Sequence, residues 1–330
     1  YDGGRANFYL AAAMSPYGSV KDAQGNYELY PMYPELLYTN PLLGLNTDRT
    51  DRGSNLTANL YAEVRILSGL KYRINASKTY INTRFAGYTG RDAANTQGGA
   101  AVANNTETNS WVLENILSYT KDWGVHHIDF TGLYSSQERN FSAIAINATG
   151  FINDELSVNN IGAGSNISAG PIPNYTTYTG SYRFRQSLLS QMGRINYTYD
   201  SRYLLTVTVR RDGSSVMGAK TNKYGTFPSV ALAWNISNEQ FMQNSGFISN
   251  MKLRASYGKT GNEAIAPYGT ITTTNTVRFP LSGASTIGVL ANNLGNENLH
   301  WETSKVVNFG IDFGILKNRI SGSIDLYSTR

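Results

Sequence analysis

Four times in this chain a tight turn joins two strands whose side chains alternate apolar and polar, and the far ends of those strands run into long polar stretches. The clearest instance is 54–66. Leu56, Ala58, Leu60, Ala62, Val64 and Ile66 fill the even positions, and Asn55, Thr57, Asn59, Tyr61, Glu63 and Arg65 fill the odd ones. A period of two sends these sets to opposite faces of one strand. After Leu67-Ser68-Gly69-Leu70 the alternation restarts, with Tyr72, Ile74 and Ala76 against Lys71, Arg73, Asn75 and Ser77. Strands of this length exceed the ~5–6 residues usual in globular sheets and suffice for the ~9–11 that cross a bilayer. A soluble barrel alternates as well, but it must bury its apolar faces in a shared core.

Composition bears on that choice. The chain has 330 residues, of which only 15% are charged, against ~25% in soluble domains. It carries 23 Tyr, 12 Phe and 4 Trp, and its 32 Gly suit a chain full of turns. The net charge of +5 is spread along the chain, so no nucleic-acid footprint is expected, since that requires a clustered basic face. With no cysteine, disulfides, thiolate chemistry and cysteine metal sites are excluded. The longest apolar run, 8–14, is far short of the ~18 residues of a spanning helix. The opening residues 1–4 carry neither a basic region nor an apolar signal core. Since the sequence does not begin with Met, the expectation is an internal piece of a longer polypeptide.

Residues 1–53, with Pro16, Pro31, Pro34 and Pro41, read mostly as a long loop. Hairpins are expected at about 54–82, 110–138, 184–213 and 304–328, turning at Ser68-Gly69, at Lys121-Asp122-Trp123-Gly124, at Asp200-Ser201-Arg202 and across 314–319. Single strands are expected near 225–236 and 250–258, joined by a connector with a short helical turn around 238–242. The remaining stretches, 83–109, 138–183, 211–225 and 259–303, read as long loops. Short turns alternating with long loops is the habit of outer-membrane barrels, which keep the turns periplasmic and the loops outside. On that reading 1–53 is mostly an extracellular loop. Trp111 and Tyr119 bracket Leu113 and Leu117, and Tyr72 and Tyr80 bracket Ile74 and Ala76, as the rims of an aromatic girdle would. Asn115 and Lys78 interrupt those two faces.

Little here points to catalysis. His126 and His127 are neighbours on a strand and face opposite ways, so they cannot chelate one ion. Arg210-Arg211-Asp212-Gly213-Ser214-Ser215 reads as a strand end with a turn at Asp-Gly rather than an anion loop. Gly258-Lys259-Thr260-Gly261-Asn262 lacks the phosphate-loop spacing and reads as a turn. Asp154, Glu155, Glu297 and Glu302 have no spacing that marks an acid/base pair. Tyr175, Tyr178, Tyr182 and Tyr224 could stack on sugar rings or pack the loops. No catalytic, cofactor or metal residue is expected, and no cargo-binding residue is singled out.

A more specific signal runs through the second half. Gly193-Arg194-Ile195-Asn196-Tyr197, Tyr203-Leu204-Leu205-Thr206 and Arg210-Arg211-Asp212-Gly213-Ser214-Ser215 come in order. Gly225-Thr226-Phe227-Pro228-Ser229, Ala233-Trp234-Asn235-Ile236-Ser237, 251–258 and Thr260-Gly261-Asn262 follow them. Asn298-Leu299-His300-Trp301-Glu302 and 318–323 close the series, and Asn46-Thr47-Asp48-Arg49-Thr50 precedes it. This ordered set resembles the SusC/RagA family of TonB-dependent outer-membrane transporters and covers most of 46–330. The resemblance implies a plugged barrel of 22 strands, of which about ten lie here in 54–330, without the plug domain and the closing strands. About ten strands cannot close at that curvature, and open edges are not tolerated in lipid, so the segment is not expected to fold natively alone. The resemblance further implies import of a glycan or peptide oligomer, with a SusD-like surface lipoprotein capping the barrel and TonB acting on the missing N-terminal part. Asn59, Glu63, Arg65 and Arg73 are expected to face the lumen, and Leu60, Val64, Ile74 and Val207 the lipid. A passive porin and a soluble all-β carbohydrate-binding module remain as alternatives.

Overall fold

The computed structural model describes residues 8–93, 98–242, 245–281 and 283–330. The opening residues 1–4 discussed above, and the side chains of Tyr175 and Tyr178, lie outside the described residues.

A short helix, α1 (Phe8–Ala13), and a 3-10 turn (Pro41–Leu45) precede the sheet. Four long strands follow: β1 (Thr47–Leu67), β2 (Leu70–Thr89), β3 (Ala100–Trp123) and β4 (His126–Thr149). Short strands β5 (Asn166–Ala169), β6 (Pro171–Ile172) and β7 (Tyr175–Thr179) come next. Then come β8 (Ser181–Tyr199), β9 (Tyr203–Ser214), β10 (Tyr224–Asn235) and β11 (Ile248–Asn262). A separate hairpin, β12 (Thr273–Leu281) and β13 (Ala284–Asn293), precedes β14 (Glu302–Ile315) and β15 (Ile320–Thr329). The main sheet runs in the order β1-β2-β3-β4-β8-β9-β10-β11-β14-β15, with β5 added to β4. The pairs β4–β5, β8–β9, β9–β10, β10–β11, β11–β14 and β14–β15 are antiparallel. The expected all-β class and the count of about ten strands therefore hold.

The strands are longer than the alternation suggested. β3 and β4 have 24 residues each, and the stretch expected to loop over 83–109 narrows to the interval between Thr89 and Ala100. Backbone pairing needs no apolar side chain, so a ladder can outrun the lipid-facing band in residues such as Asn and Thr. Two expected turns are corrected for the same reason. Asp212 and Gly213 stay in β9, opposite Gly225 and Tyr224, because Arg210 holds the Asp212 carboxylate at 2.7 and 2.9 Å within the strand. Likewise 258–262 continues β11 opposite 302–306. The helical turn expected at 238–242 appears as two 3-10 turns, Ile236–Asn238 and Gln240–Met242.

The chain divides into two compact units. The first comprises 1–57, 79–109 and 140–184. It holds two small cores, Tyr88, Ala101, Ala148 and Phe151, and Phe141, Ala143, Ala145, Ile172, Tyr182 and Phe184. Tyr182 is thus a packing residue, with its ring tilted 5.8 Å from that of Phe184. The second comprises 58–78, 110–139 and 185–330. There the short turns are laced to one another: Thr120 N–H donates to Gly69 O at 2.9 Å, Asp200 N–H to Val125 O at 2.7 Å and Asn235 N–H to Arg202 O at 2.7 Å.

The second unit has a clear apolar face. In register, Ile195, Val207, Val230, Tyr257 and Val307 form one row, and Tyr197, Leu205, Leu232, Ala255, Phe309 and Leu326 the next. Most of these side chains stand in the open, Leu326 at 71% of full exposure, as does Leu60 of β1 at 75%. A soluble module would have to cover them. Near the short turns the face ends in an aromatic belt, where Trp123, His126, Tyr199, Tyr203 and Trp234 succeed one another at centroid separations of 5.1–6.4 Å. Asn115, the residue that interrupts the apolar face of β3, is satisfied by the Tyr72 hydroxyl at 2.5 Å.

Candidate functional site

The opposite face of the same strands is polar and cross-linked. Arg194 donates from Nε to Thr208 at 3.1 Å, and Thr206 donates to Asn196 at 2.9 Å. Arg210, besides gripping Asp212, donates to Ser190 at 2.9 Å. Arg254 on β11 meets Asp312 on β14 through two parallel bonds of 2.9 and 2.8 Å and reaches Asp325 on β15 at 3.2 Å. Gly310 lies between them in the same row. A Cβ there would stand 2.8 Å from the Arg254 guanidinium carbon and 2.6 Å from an Asp325 oxygen. The bridge over β14 therefore depends on a glycine. Small neighbours, Ala231, Ala233, Ser256 and Gly258, leave these charges about one-third exposed rather than buried. Such a face can hydrogen-bond water or polar cargo.

The expected lumen residues share this character. Asn59 accepts from Ser77 at 2.7 Å, Glu63 lies 3.7 Å from Lys71, and Arg73 stacks 4.3 Å from the Tyr61 ring while donating to Asn75. Asn75 passes the chain of bonds to Glu114 at 3.0 Å. Arg65 is exposed on the odd-numbered face of β1 that also carries Asn59 and Glu63, opposite Leu60 and Val64. His127 belongs to the polar face, between Asp122 at 2.6 Å and Asp129 at 2.9 Å. His126 stacks into the aromatic belt instead. The two imidazoles point apart, as adjacent strand residues must. Among the described residues no group of three metal-ligating side chains occurs.

Sequence reasoning missed a second constellation, at the long-loop end of β9–β14. Val216, Met217, Phe227 and Trp301 form a buried cluster, with the Phe227 and Trp301 rings edge-on at 5.3 Å. Gly225 and Gly261 leave room for the Phe227 ring, which any Cβ at either position would strike. The loop after β9 docks on the segment before β14. Gly218 N–H donates to Leu299 O at 2.9 Å, Thr221 hydroxyl to the same oxygen at 3.1 Å, and Trp301 Nε1 to Lys223 O at 3.0 Å. Lys220 pairs with Glu297 at 2.6 Å, and that carboxylate raises the lysine above its ordinary value. Beside the pair lies a polar cavity of about 570 Å³ lined by Thr270, Thr272, Asn296 and Asn298. Glu302 accepts from Asn262 at 3.1 Å, and Asp154 from the Tyr88 hydroxyl at 2.7 Å. Tyr224 is covered by Arg211, 4.6 Å from its ring. The signal was present as motifs: Asp212-Gly213-Ser214-Ser215, Gly225-Thr226-Phe227 and Leu299-His300-Trp301 all converge here.

Residues 2–330 match the family described as TonB dependent receptor-like, beta-barrel. The chain belongs to that family. It is 33% identical over 324 residues to TonB-dependent receptor P3 of Formosa agariphila, covering 97% of this chain and 31% of the relative. It is 40% identical over 152 residues to TonB-dependent receptor SusC of Bacteroides thetaiotaomicron, covering 44% of this chain and 15% of SusC. Its fold matches that of the RagAB peptide transporter with a TM-score of 0.78 at 24% identity, over 93% of this chain and 33% of that one. The SusC/RagA resemblance thus holds, and the chain spans about a third of the length of receptor P3 and of the matched transporter chain. A TonB-dependent receptor barrel resides in the outer membrane and is not an enzyme. Its apolar face is the surface offered to lipid, and its polar face lines the interior.

Proposed function

We propose that this receptor segment forms part of the wall of an energy-coupled importer of an oligomeric nutrient, a glycan or a peptide, that works with a SusD-like surface lipoprotein and with TonB. The observation that carries the reading is the pairing of two unlike faces on one sheet. The outer rows are exposed hydrocarbon. The inner face carries paired charges and amides, among them Asn59 with Ser77, Arg73 with Asn75, and Arg254 with Asp325. Membership of the TonB-dependent receptors supports energy coupling, and likeness to SusC and to a peptide transporter supports a polar oligomer as cargo. On this reading the short turns face the periplasm and the long-loop ends, with the Phe227–Trp301 cluster, face the lipoprotein.

The test uses the full-length receptor in its native cell. Uptake of fluorescent oligosaccharide and oligopeptide pools should be lost when the receptor gene or TonB is deleted. A tagged receptor should co-purify with a surface lipoprotein. Uptake that survives loss of TonB would instead establish a passive porin.

A further inference from the structure

At its long-loop end the outer face of β11, β14 and β15 carries a row of like charges. Lys259 on β11 stands directly opposite Lys305 on β14. Lys305 N–H donates to Arg330 O at 2.7 Å and Arg330 N–H to Lys305 O at 2.9 Å, the mutual exchange of a directly opposed pair. Residues opposed in register share a face. Lys259 lies two positions after Tyr257, and Lys305 two before Val307, both of the outer apolar face, so all three basic side chains stand on that face.

The row has no acid to answer it. The carboxylates of these three strands fall on the inner face, where Asp312 and Asp325 hold Arg254 and Glu302 accepts from Asn262. Inner-face arginines are each given a carboxylate, Arg210 by Asp212 and Arg254 by Asp312. Among the described residues Lys259, Lys305 and Arg330 have no ion pair. Like charges directly opposite one another destabilise a sheet, so the row costs folding energy until an anion bridges it. It lies ~7 Å along the strand from Tyr257 and Val307, where basic stems rest on hydrocarbon and lift their charges to the interface.

We propose that Lys259, Lys305 and Arg330 together bind the phosphate of a lipid A headgroup, the anionic glycolipid of the outer leaflet. A phosphate has oxygens enough to accept from both ammonium groups and from the guanidinium fork at once, and its charge cancels the repulsion within the row. A lipid-borne phosphate is seated rather than a soluble one because the row borders hydrocarbon and faces away from the lumen. Lipid A rather than a glycerophospholipid is the occupant because long barrel loops face outward, which places the row at the outer leaflet. The inference rests on that orientation and not on import. Its readout is lipid binding rather than uptake, so the two readings fail separately.

The experiment uses the full-length receptor in mild detergent at low salt, freed of bound lipopolysaccharide. Purified lipid A is titrated into the micelles while the melting temperature is followed. Phosphorylated lipid A should raise the melting temperature of wild type, and its dephosphorylated form should not. Lys259→Gln, Lys305→Gln and Arg330→Gln should each raise the lipid A concentration that gives half the shift about fivefold, the weight of one basic residue at an anionic surface. Lys252→Gln, on the inner face of β11, should leave that concentration unchanged. Before any lipid is added, Lys305→Gln removes the central charge and should melt above wild type, a difference that added salt screens away. A lipid-free Lys305→Gln that melts below wild type would show that the row carries no repulsion and would overturn the proposal. So would a wild type indifferent to the phosphate of lipid A, equal titrations in all variants, or the same shift from inorganic phosphate or phosphatidylglycerol.

Discussion

The strands β8–β15 are anchored differently at their two ends. At the short-turn end the ties join sequence neighbours or adjacent turns: Asn235 to Ser201 at 2.8 Å, Asn238 to the same carbonyl at 2.8 Å, and Glu239 to Tyr203 and Trp234. At the long-loop end the ties join residues far apart in the chain, with Trp301 donating to Lys223 across 78 positions and packing on Phe227. The first end is an amphipathic rim whose rings rest between hydrocarbon and water. The second is a small dry core raised outside the lipid band. A rim tolerates loss of one ring because its neighbours and lipid close over the gap, whereas a dry core leaves a void.

That contrast is sharpest for Phe227→Ala in the full-length receptor, expected to cost ~3–5 kcal/mol and to make the loop after β9 accessible to protease. Tyr203→Ala at the rim should leave the loop protected. Equal losses for the two would remove the distinction between core and rim. Next in size is a charge on the lipid face. Val207→Arg should cost ~2–4 kcal/mol at midplane and reduce the amount of receptor in the outer membrane. Thr206→Arg, one residue along and facing inward, should be tolerated. If Val207→Arg were neutral, the assignment of faces would be reversed. Smaller still is Gly310→Ala, which pushes Arg254 off Asp325. The three side chains are each about one-third exposed, so solvent screening limits the loss to under ~1 kcal/mol. Folding in detergent should change little while the pair Arg254 and Asp325 ceases to couple in a double-mutant cycle.

What could be read from the sequence follows the same division. Period-two alternation placed Leu60, Val64 and Ile74 against Asn59, Glu63 and Arg73 because both faces of a strand are specified locally. Turns at Ser68-Gly69 and Asp200-Ser201 were legible because their conformations restrict residue type: Gly69, Asp200 and Ser201 all have positive φ. Strand ends were not legible, since Asn104 and Thr106 pair as readily as Val once the ladder is running. Nor was the Phe227–Trp301 core. Gly225 read as the start of a strand and Gly261 as a turn residue, yet both serve as clearance for one ring, and clearance depends on a partner that sequence does not place. The β12–β13 hairpin was hidden within 259–303 for a related reason: its Thr- and Asn-rich strands alternate too weakly to stand out from a loop.

The finest test of the rim concerns Glu239, the carboxylate at its centre. The Tyr203 hydroxyl donates to it at 2.7 Å, the Trp234 indole at 3.0 Å, and Arg202 adds a positive charge at 3.2 Å. These partners favour the ionised form and hold the carboxyl below its ordinary value, the Tyr203 bond first among them. A carboxyl whose pKa is lower in the folded than in the unfolded state contributes stability above its unfolded value, ~4.3 for glutamate. That contribution is lost as pH falls through the folded value. Glu239→Gln keeps the shape but not the charge. Thermal melts of the full-length receptor in detergent should therefore show the variant below wild type at pH 7, with the gap closing progressively below pH ~4.3. A gap that persists unchanged into acid would mean that the side chain acts through its geometry alone, with the rim held by packing and neutral hydrogen bonds.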